Sequence, residues 1–363
     1  MKVVFVSAYY SDSASGANKR FLNLVKCTSN ILKEDLIVVT CKNNPVKIKD
    51  SKFKEKFIPF DVFNGKIGRL LVTLWLNLYF LYCASKGYKV ISDFNPVPIS
   101  QFFSKNQFQL IHDARLFDEF GRWGGVSKAL MKFQWGNLKN IVTVSRFSKN
   151  CLLTNLKLSK DSIIVSYNGL SEEYFDNINS AGNAICPISN RKIDLLYVAT
   201  FERRKNHEAL INSLEYLNNP LNIVFLGKDN GYKTEVLKMI SNLKKIHNIE
   251  IIDNVTETEL LNFYKSTKVF VNPSLYEGFG MPLIEAQTQG ANICCSDIDV
   301  FREIMLDDAI YFDPLSPKRI AESITVSLQP HDQAKKINFD VNKFKWQNIA
   351  NKLLNDLSNR ASR

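Results

Sequence analysis

Histidine, paired cysteines and long apolar runs are all scarce in this chain of 363 residues. There are four histidines and seven cysteines, and no Cys-x-x-Cys pair occurs. The spacings of the histidines and cysteines therefore do not indicate a zinc site. The odd number of cysteines does not predict a disulfide framework. Cys294 and Cys295 are adjacent in an apolar strand, which is typical of reduced, buried thiols in a cytosolic protein.

The most apolar segment, Leu70–Ala84, is too short to span a bilayer, and Thr73 and Asn77 interrupt it. We expect a buried core helix here. The alternative is an interfacial membrane helix, which the neighbouring lysines favour. At the amino end, Val3–Val6 is too short for the apolar core of a signal peptide, so a cytoplasmic location is expected.

Dinucleotide and nucleic-acid signatures are also missing. The first predicted strand is followed by Ser11–Ala17, which is not a Gly-x-Gly-x-x-Gly turn, so the NAD(P) fingerprint is absent. No ribonucleoprotein, zinc-finger or helix-turn-helix signature is present, and nucleic acid is not expected as a partner.

Basic residues concentrate in the first half. Of 47 Lys and Arg and 36 Asp and Glu, residues 1–170 contain 25 and 11, and residues 171–363 contain 22 and 25. A basic face suits an anionic membrane surface or a lipid-linked phosphate. The alternative is a solvated lysine-rich surface.

Short β-branched runs alternate with helical stretches and predict an α/β protein with two parallel-sheet domains. The first domain is predicted over residues 1–176 and the second over 191–341, with a polar linker at 177–190 and a final helix at about 342–363 that packs back on the first domain. The predicted strands are Lys2–Ser7, Leu36–Cys41, Tyr88–Ser92, Phe108–His112, Asn140–Val144, Ser162–Tyr167, Lys192–Val198, Asn222–Leu226, Ile249–Ile252, Lys268–Asn272 and Asn292–Cys295. Ligands of such folds bind at the carboxyl ends of the strands, and here we expect a cleft between the two sheets.

The segment from Glu277 to Glu285 joins a predicted strand to a predicted helix through a turn with Gly278 and Gly280. Such a turn exposes backbone N–H groups to an anion at a helix N-terminus. Glu285 lies in the first helical turns, where it can accept hydrogen bonds from ribose hydroxyls. Each residue alone would fit a plain tight turn, but together they indicate a nucleotide-sugar site.

Three further segments carry candidate chemistry. Arg203, Arg204 and Lys205 begin a helix, where cations oppose the helix dipole unless an anion such as a diphosphate is bound. His112 ends a predicted strand, where a reacting group would lie, although a single histidine is more often a core residue. The Asp297-Ile-Asp299 string is interpreted as turn or cap chemistry, and no metal is expected.

The chain as a whole resembles the retaining GT-B glycosyltransferases of family 4. The matching strings include SGANKRF, LIHD, VTVSRFSK, YVATFERRKNHEALI, the Glu-x7-Glu element EGFGMPLIEA and SDIDVFREI. The RKN string resembles the subgroup of bacterial O-antigen and capsule transferases, often mannosyl-type. The chain departs from the family at Gly16-Ala17 and at Ala199-Thr200, where glycine pairs or Gly-Arg are frequent.

The resemblance implies a role for each matching residue. The catalytic pair would be His112 and Glu277, and the donor sugar would also contact Gly278, Phe279, Gly280 and Asp113. The diphosphate would be bound by Lys205, by Arg203 or Arg204, and by the helix start at Gly16 and Ala17. Ribose and base would lie at Glu285, Val255 and Leu283.

The implied reaction is a metal-independent transfer with retention at the anomeric carbon. A hexosyl group would move from a nucleoside-diphosphate sugar to a hydroxyl of a lipid-linked (polyprenyl diphosphate) oligosaccharide, at the inner face of the plasma membrane and without a cofactor. The alternatives are another enzyme of this fold, such as a nucleotide-sugar 2-epimerase, and a non-catalytic sugar-nucleotide-binding subunit.

Overall fold

The computed structural model describes residues 1–11, 16–48, 52–120, 124–176, 187–241, 243, 246–329 and 340–360. The chain divides into two units, one of Met1–Gly169 with Asn342–Arg363 and one of Leu170–Val341. Most of the predicted linker, residues 177–186, lies outside the described residues.

The first unit contains a parallel sheet of seven strands in the order β3-β2-β1-β4-β5-β6-β7. Its strands are β1 Val3–Val6, β2 Leu36–Cys41, β3 Lys54–Ile58, β4 Lys89–Ser92, β5 Gln107–Ile111, β6 Ile141–Thr143 and β7 Ile163–Val165. The helices are α1 Gly16–Leu32, α2 Gly65–Ser85, α3 Gly125–Gly136, α4 Arg146–Asn155 and, from the end of the chain, α11 Trp346–Asn359. β1 is apolar at every position because helices cover both faces of the sheet.

Alternate side chains of each strand point to opposite faces of this sheet. Phe5 and Phe108 pack with α1 and α11, whose buried side chains include Leu24 and Leu353. Val4 and Val6 point the other way and pack on Val72, Leu76 and Phe80 of α2. The C-terminal helix therefore completes the core of the first unit.

The second unit contains a parallel sheet of six strands in the order β10-β9-β8-β11-β12-β13. The strands are β8 Ile193–Val198, β9 Asn222–Leu226, β10 Asn248–Ile252, β11 Thr267–Asn272, β12 Asn292–Ser296 and β13 Ile310–Phe312. The helices are α5 His207–Leu214, α6 Lys233–Ile240, α7 Glu257–Lys265, α8 Met281–Thr288, α9 Asp299–Met305 and α10 Pro317–Leu328. A capping box between Thr256 and Glu259 fixes the start of α7.

The prediction of an α/β protein with two parallel sheets is confirmed. Three details differ from the prediction. The strands β3 and β13 were not predicted, because β3 has the polar sequence KEKFI at the sheet edge and β13 has only three residues. The prediction that Leu70–Ala84 lies in a buried core helix is wrong for one side of α2. Leu70, Leu74 and Leu78 are exposed at 58%, 55% and 70%, because only the opposite side packs on the sheet.

Candidate functional site

The predicted glycine turn lies between the end of β11 at Asn272 and the start of α8 at Met281. Gly280 has φ +108°, a conformation that favours glycine, and a Cβ there would lie 2.9 Å from Cε1 of Phe301. Pro282 occupies the first turn of α8, where its fixed φ suits a helix start. The side chain of Phe279 is buried in the protein and stabilises the position of the turn.

Glu277 forms ion pairs with Arg204 and Lys205, the two cations in the loop after β8. Its Oε1 contacts Nζ of Lys205 and accepts a hydrogen bond from Ser274 Oγ at 2.9 Å. Its Oε2 lies 3.2 Å from a terminal nitrogen of Arg204. The side chains of Arg204, Lys205 and Glu277 are all only 13–14% exposed, so these charges interact in a region largely shielded from water.

Hydrogen bonds to backbone carbonyls stabilise the loop after β8 and the loop after β11. Leu275 N–H donates to Arg204 O at 2.8 Å, and Tyr197 OH donates to Lys205 O at 2.6 Å. Asn206, in the left-handed conformation, donates through its amide to Pro273 O at 3.0 Å. The site therefore does not depend on the charges alone for its geometry.

The structure separates the two arginines that the sequence left equivalent. Arg204 donates to Glu202 Oε1 at 2.6 Å and to Tyr276 O at 3.0 Å. Arg203 is exposed and places its guanidinium 5.3 Å from the ring centre of Tyr232. Of the two, only Arg204 is placed at Glu277.

The ionisation of Glu277 follows from this arrangement. Burial alone would raise its pKa, but the charges of Lys205 and Arg204, with hydrogen bonds from Lys205 and Ser274, hold the pKa below its usual value. Glu277 is thus a carboxylate at neutral pH. The cluster therefore contains two cations, Arg204 and Lys205, and two carboxylates, Glu277 and Glu202.

These groups lie at the topological switch point of the second sheet. β8 has β9 on one side and β11 on the other, so the chain connections diverge between β8 and β11. Loops that diverge at carboxyl ends leave room for a ligand. Arg204 and Lys205 follow β8, and Glu277 follows β11.

The remaining predicted residues of this unit lie at different depths. Glu285 on α8 is 8% exposed and accepts a hydrogen bond from Tyr264 OH at 2.8 Å. Leu283 is fully buried, so its side chain supports the turn, whereas Val255 is half-buried in the loop after β10. Tyr264 was not predicted, because a tyrosine on an amphipathic helix gives no sequence signal of its own.

In the first unit, His112 directly follows β5 and lines a small cavity with Ala17, Arg20 and Asp93. Burial and the charge of Arg20 lower the pKa of His112 to about 3, so its imidazole is neutral at physiological pH. Among the described residues, His112 Nε2 has no hydrogen-bond partner. Gly16 begins α1 directly before Ala17.

The carboxylate of Asp113 contacts its neighbour in sequence, Arg115. Its Oδ2 lies 2.8 Å from Nε of Arg115, and its Oδ1 accepts the Arg115 backbone N–H at 3.1 Å. The predicted contact of Asp113 with a donor sugar would therefore compete with this turn.

Arg20 and Asp93 are two residues of this cavity that sequence reasoning missed. Arg20 is 1% exposed and donates to Tyr167 O at 2.7 Å and to Asn168 Oδ1 at 2.9 Å. Asp93 follows β4 and accepts from Ser7 Oγ at 3.0 Å, and burial raises its pKa to about 6. Asp93 directly follows a predicted strand, which is the signal that could have identified it.

Asp297 forms an ion pair with Arg302 at distances of 2.6 and 2.7 Å. The predicted cap role of Asp297 is wrong, because the N-cap residue of α9 is Ile298 and, among the described residues, no side chain caps this helix. Within the described ranges, no group of three or more His, Cys, Asp or Glu residues is arranged to hold a metal ion.

His207, the residue that begins α5, has a buried ring that stacks with Phe201 at 4.8 Å and tilts against Tyr197 at 4.9 Å. Burial and the charge of Lys205 lower its pKa to about 3 from 6.5. The unfolded chain therefore takes up a proton below pH 6.5 that the folded chain takes up only near pH 3, so acid reduces the free energy of unfolding over this interval.

Replacing His207 by phenylalanine keeps a ring and removes the titration. Between pH 7 and pH 5 we expect the variant to lose about 2 kcal/mol less of its free energy of unfolding than the wild type. Urea unfolding at the two pH values measures the difference, and parallel losses in both proteins would contradict the lowered pKa.

Comparison with known proteins places part of this chain in a family. Residues 184–339, which include the Glu277 turn and the Arg204 and Lys205 loop, match the family described as Glycosyl transferases group 1. The chain contains a group 1 glycosyltransferase domain. The resemblance drawn from the sequence is therefore confirmed at the level of this family.

Named relatives of the glycosyltransferase are found among bacterial enzymes. It is 24% identical over 282 residues to the O-antigen chain mannosyltransferase RfbU of Salmonella typhimurium, covering 76% of this chain and 74% of the relative. It is 27% identical over 232 residues to O-antigen chain mannosyltransferase B of Escherichia coli, covering 60% of each.

The fold of the glycosyltransferase is shared with solved structures. Alr3699/HepE of Anabaena, solved with UDP and glucose, superposes with a TM-score of 0.73 at 14% identity, covering 99% of this chain and 100% of that one. This similarity confirms the predicted GT-B fold class.

Proposed function

We propose that this glycosyltransferase is a retaining, metal-independent enzyme of family 4 that transfers a hexosyl group from a nucleoside-diphosphate sugar to a hydroxyl of a lipid-linked glycan. The observation that carries the proposal is the cluster of Lys205, Arg204 and Glu277 beside the glycine turn, at the switch point of the second sheet.

The cations Lys205 and Arg204 bind the donor diphosphate in this proposal. Lys205 acts as a point charge and Arg204 as a planar fork. Both are held in place before the ligand arrives, by Glu277 and by the backbone bonds of the Arg203–Lys205 turn. Preorganised charge of this kind stabilises the negative charge that develops on a leaving diphosphate.

The other parts of the donor are assigned to the same unit. Glu285 binds the ribose hydroxyls through the carboxylate that Tyr264 orients. The backbone of Gly278–Gly280 and the carboxylate of Glu277 bind the sugar, and the loop at Val255 lies at the base. The donor is GDP-mannose-like or a UDP- or dTDP-sugar, and the mannosyltransferase names of the relatives favour the first.

The first unit supplies His112 and the helix start at Gly16 and Ala17. Because the imidazole of His112 is neutral at physiological pH, it binds a sugar hydroxyl as a hydrogen-bonding group without a charge. The acceptor is a polyprenyl-diphosphate oligosaccharide of bacterial surface-polysaccharide synthesis. Both the basic first half of the chain and the O-antigen names of the relatives support this acceptor.

In the proposed reaction the bond between the anomeric carbon and the diphosphate oxygen breaks. The acceptor oxygen forms a bond to the same face of the sugar, and its proton goes to the departing diphosphate. No general base on the protein and no metal ion is required for these steps.

The test is a transfer assay with the purified full chain, GDP-mannose, UDP- and dTDP-sugars and a synthetic polyprenyl-diphosphate glycan. We expect transfer from one donor, with unchanged rate in EDTA and retained anomeric configuration in the product by NMR. Inversion, or loss of transfer in EDTA, would contradict the mechanism. Donor hydrolysis or epimerisation without transfer would contradict the function.

A further inference from the structure

Helix α2 presents apolar side chains to solvent along its whole length. Ile67, Leu70, Leu74, Leu78 and Leu81 recur every three or four residues and are 55–74% exposed. The opposite side of the same helix is buried in the sheet core through Val72, Leu76 and Phe80. Burial on folding therefore does not explain the exposed leucines.

A second helix, α3, repeats this pattern. Val126, Leu130 and Phe133 are 88%, 53% and 66% exposed and share one side of the helix by their spacing. The short turn Ile99–Phe102, which packs on α2, adds Ile99 and the following Phe103 at 62% and 76% exposure. We call the exposed apolar side chains of α2, α3 and this turn the apolar face.

Both helices lie on one side of the seven-stranded sheet. The registered pairs Val4–Val90, Val90–Gln107 and Gln109–Ile141 carry one side of the sheet from β1 across to β6. Val4 packs with α2, and Ile141 packs in the cluster that contains Trp135 of α3. The exposed sides of α2 and α3 therefore both face away from this side of the sheet.

All charged residues of α2 and α3 are cationic. α2 contains Lys66 and Arg69, α3 contains Lys128 and Lys132, and neither helix contains an acidic residue. On the neighbouring strand β3, Lys56 places its ammonium 4.3 Å from the ring centre of Tyr79 on α2. Exposed leucine and phenylalanine beside lysine and arginine are the composition of helices that lie in an anionic membrane interface.

Two other occupants of the apolar face fit the observations less well. Within the described residues, α2 is the one helix long and apolar enough to span a bilayer, but it connects the parallel strands β3 and β4 and packs along their sheet. A second copy of the chain, docked through the same face, would bring the lysines of both copies together without a carboxylate on either helix.

We propose that the apolar face binds an anionic lipid bilayer, with α2 and α3 lying in the plane of the headgroups. Leucine and phenylalanine side chains enter the boundary of the acyl chains, and Lys66, Arg69 and Lys132 contact lipid phosphates. This inference deepens the proposed function, since a lipid-linked acceptor is confined to such a surface, and rests on it only for its biological purpose.

The test is flotation of the full chain with vesicles of phosphatidylcholine, with and without about one third phosphatidylglycerol. We expect binding to the anionic vesicles that weakens with salt. In the double variant Leu74→Glu/Leu78→Glu the partition coefficient should fall roughly tenfold or more, because two apolar contacts are replaced by carboxylates. Leu315→Glu, at a 75% exposed leucine of the second unit, is the matched control and should bind like the wild type.

Three results would overturn the proposal. They are equal vesicle binding by the wild type and the double variant, no binding of the wild type to anionic vesicles, and a wild-type dimer that the double variant converts to monomer. Nucleoside-diphosphate binding, measured on the same samples, separates this proposal from the proposed function. The leucine substitutions should leave that affinity unchanged, whereas failure of the wild type to bind any nucleotide would count against the proposed function alone.

Discussion

Replacing Lys205 by alanine is expected to lower the turnover of sugar transfer by about 10²–10³-fold, the typical cost of removing one preorganised charge at a developing oxyanion. Lys205 is largely buried against Glu277, so water cannot readily replace its ammonium group. Steady-state kinetics with the donor found in the transfer assay measure the effect, together with the affinity for the nucleoside diphosphate product.

Lys268→Ala is the matched control for this experiment. Lys268 forms a 2.8 Å ion pair with Asp194, and these residues lie on β11 and β8, the strands that precede the candidate site. The pair is at the amino ends of the strands, so its loss costs stability without touching the site. Equal losses of turnover in the two variants would show that Lys205 is structural.

Gly227→Ala is expected to be the most damaging single-methyl change in the second unit. A Cβ at Gly227 would lie 1.9 Å from the carbonyl oxygen of Ala199, so the backbone itself must move. We expect the free energy of unfolding to fall by roughly 3 kcal/mol or more. The loop after Ala199 carries Arg204 and Lys205, so nucleotide affinity should fall as well.

Gly231→Ala separates steric contact from backbone strain. Gly231 has φ +87° but nothing lies within 4 Å of its would-be Cβ. This change should cost only about 1–2 kcal/mol, from the left-handed conformation. Urea unfolding compares the two variants, and equal stability of Gly227→Ala and Gly231→Ala would contradict the predicted steric clash with Ala199.

The predictable part of the fold lay in the apolar strands. The runs VVFV of β1 and VFV of β11 are buried on both faces, and such continuous apolar runs identify the strands directly. β3 was missed because an edge strand tolerates the sequence KEKFI. The exposed side of α2 was missed because composition shows that a segment is apolar and does not show which side of it the sheet leaves uncovered.

The candidate site was predictable where its residues adjoin one another in sequence. The Glu277–Gly280 turn and the Arg203–Lys205 run are read directly from the chain, but their mutual contact is not. It arises because β8 and β11 are neighbours in the sheet, although 73 residues lie between their last residues, Val198 and Asn272. The separation of Arg203 from Arg204 likewise depends on the position of Tyr232, which no local pattern supplies.

Calorimetric titration of UDP, GDP, dTDP and ADP into the purified chain measures whether the second unit binds a nucleoside diphosphate. We expect one nucleotide to bind to the wild type and Glu285→Ala to lose this binding. Tyr264→Phe is the control, because it removes the hydrogen bond to Glu285 and leaves the carboxylate, and it should retain most of the affinity. Binding of none of the four nucleotides, or unchanged affinity in Glu285→Ala, would contradict the assignment.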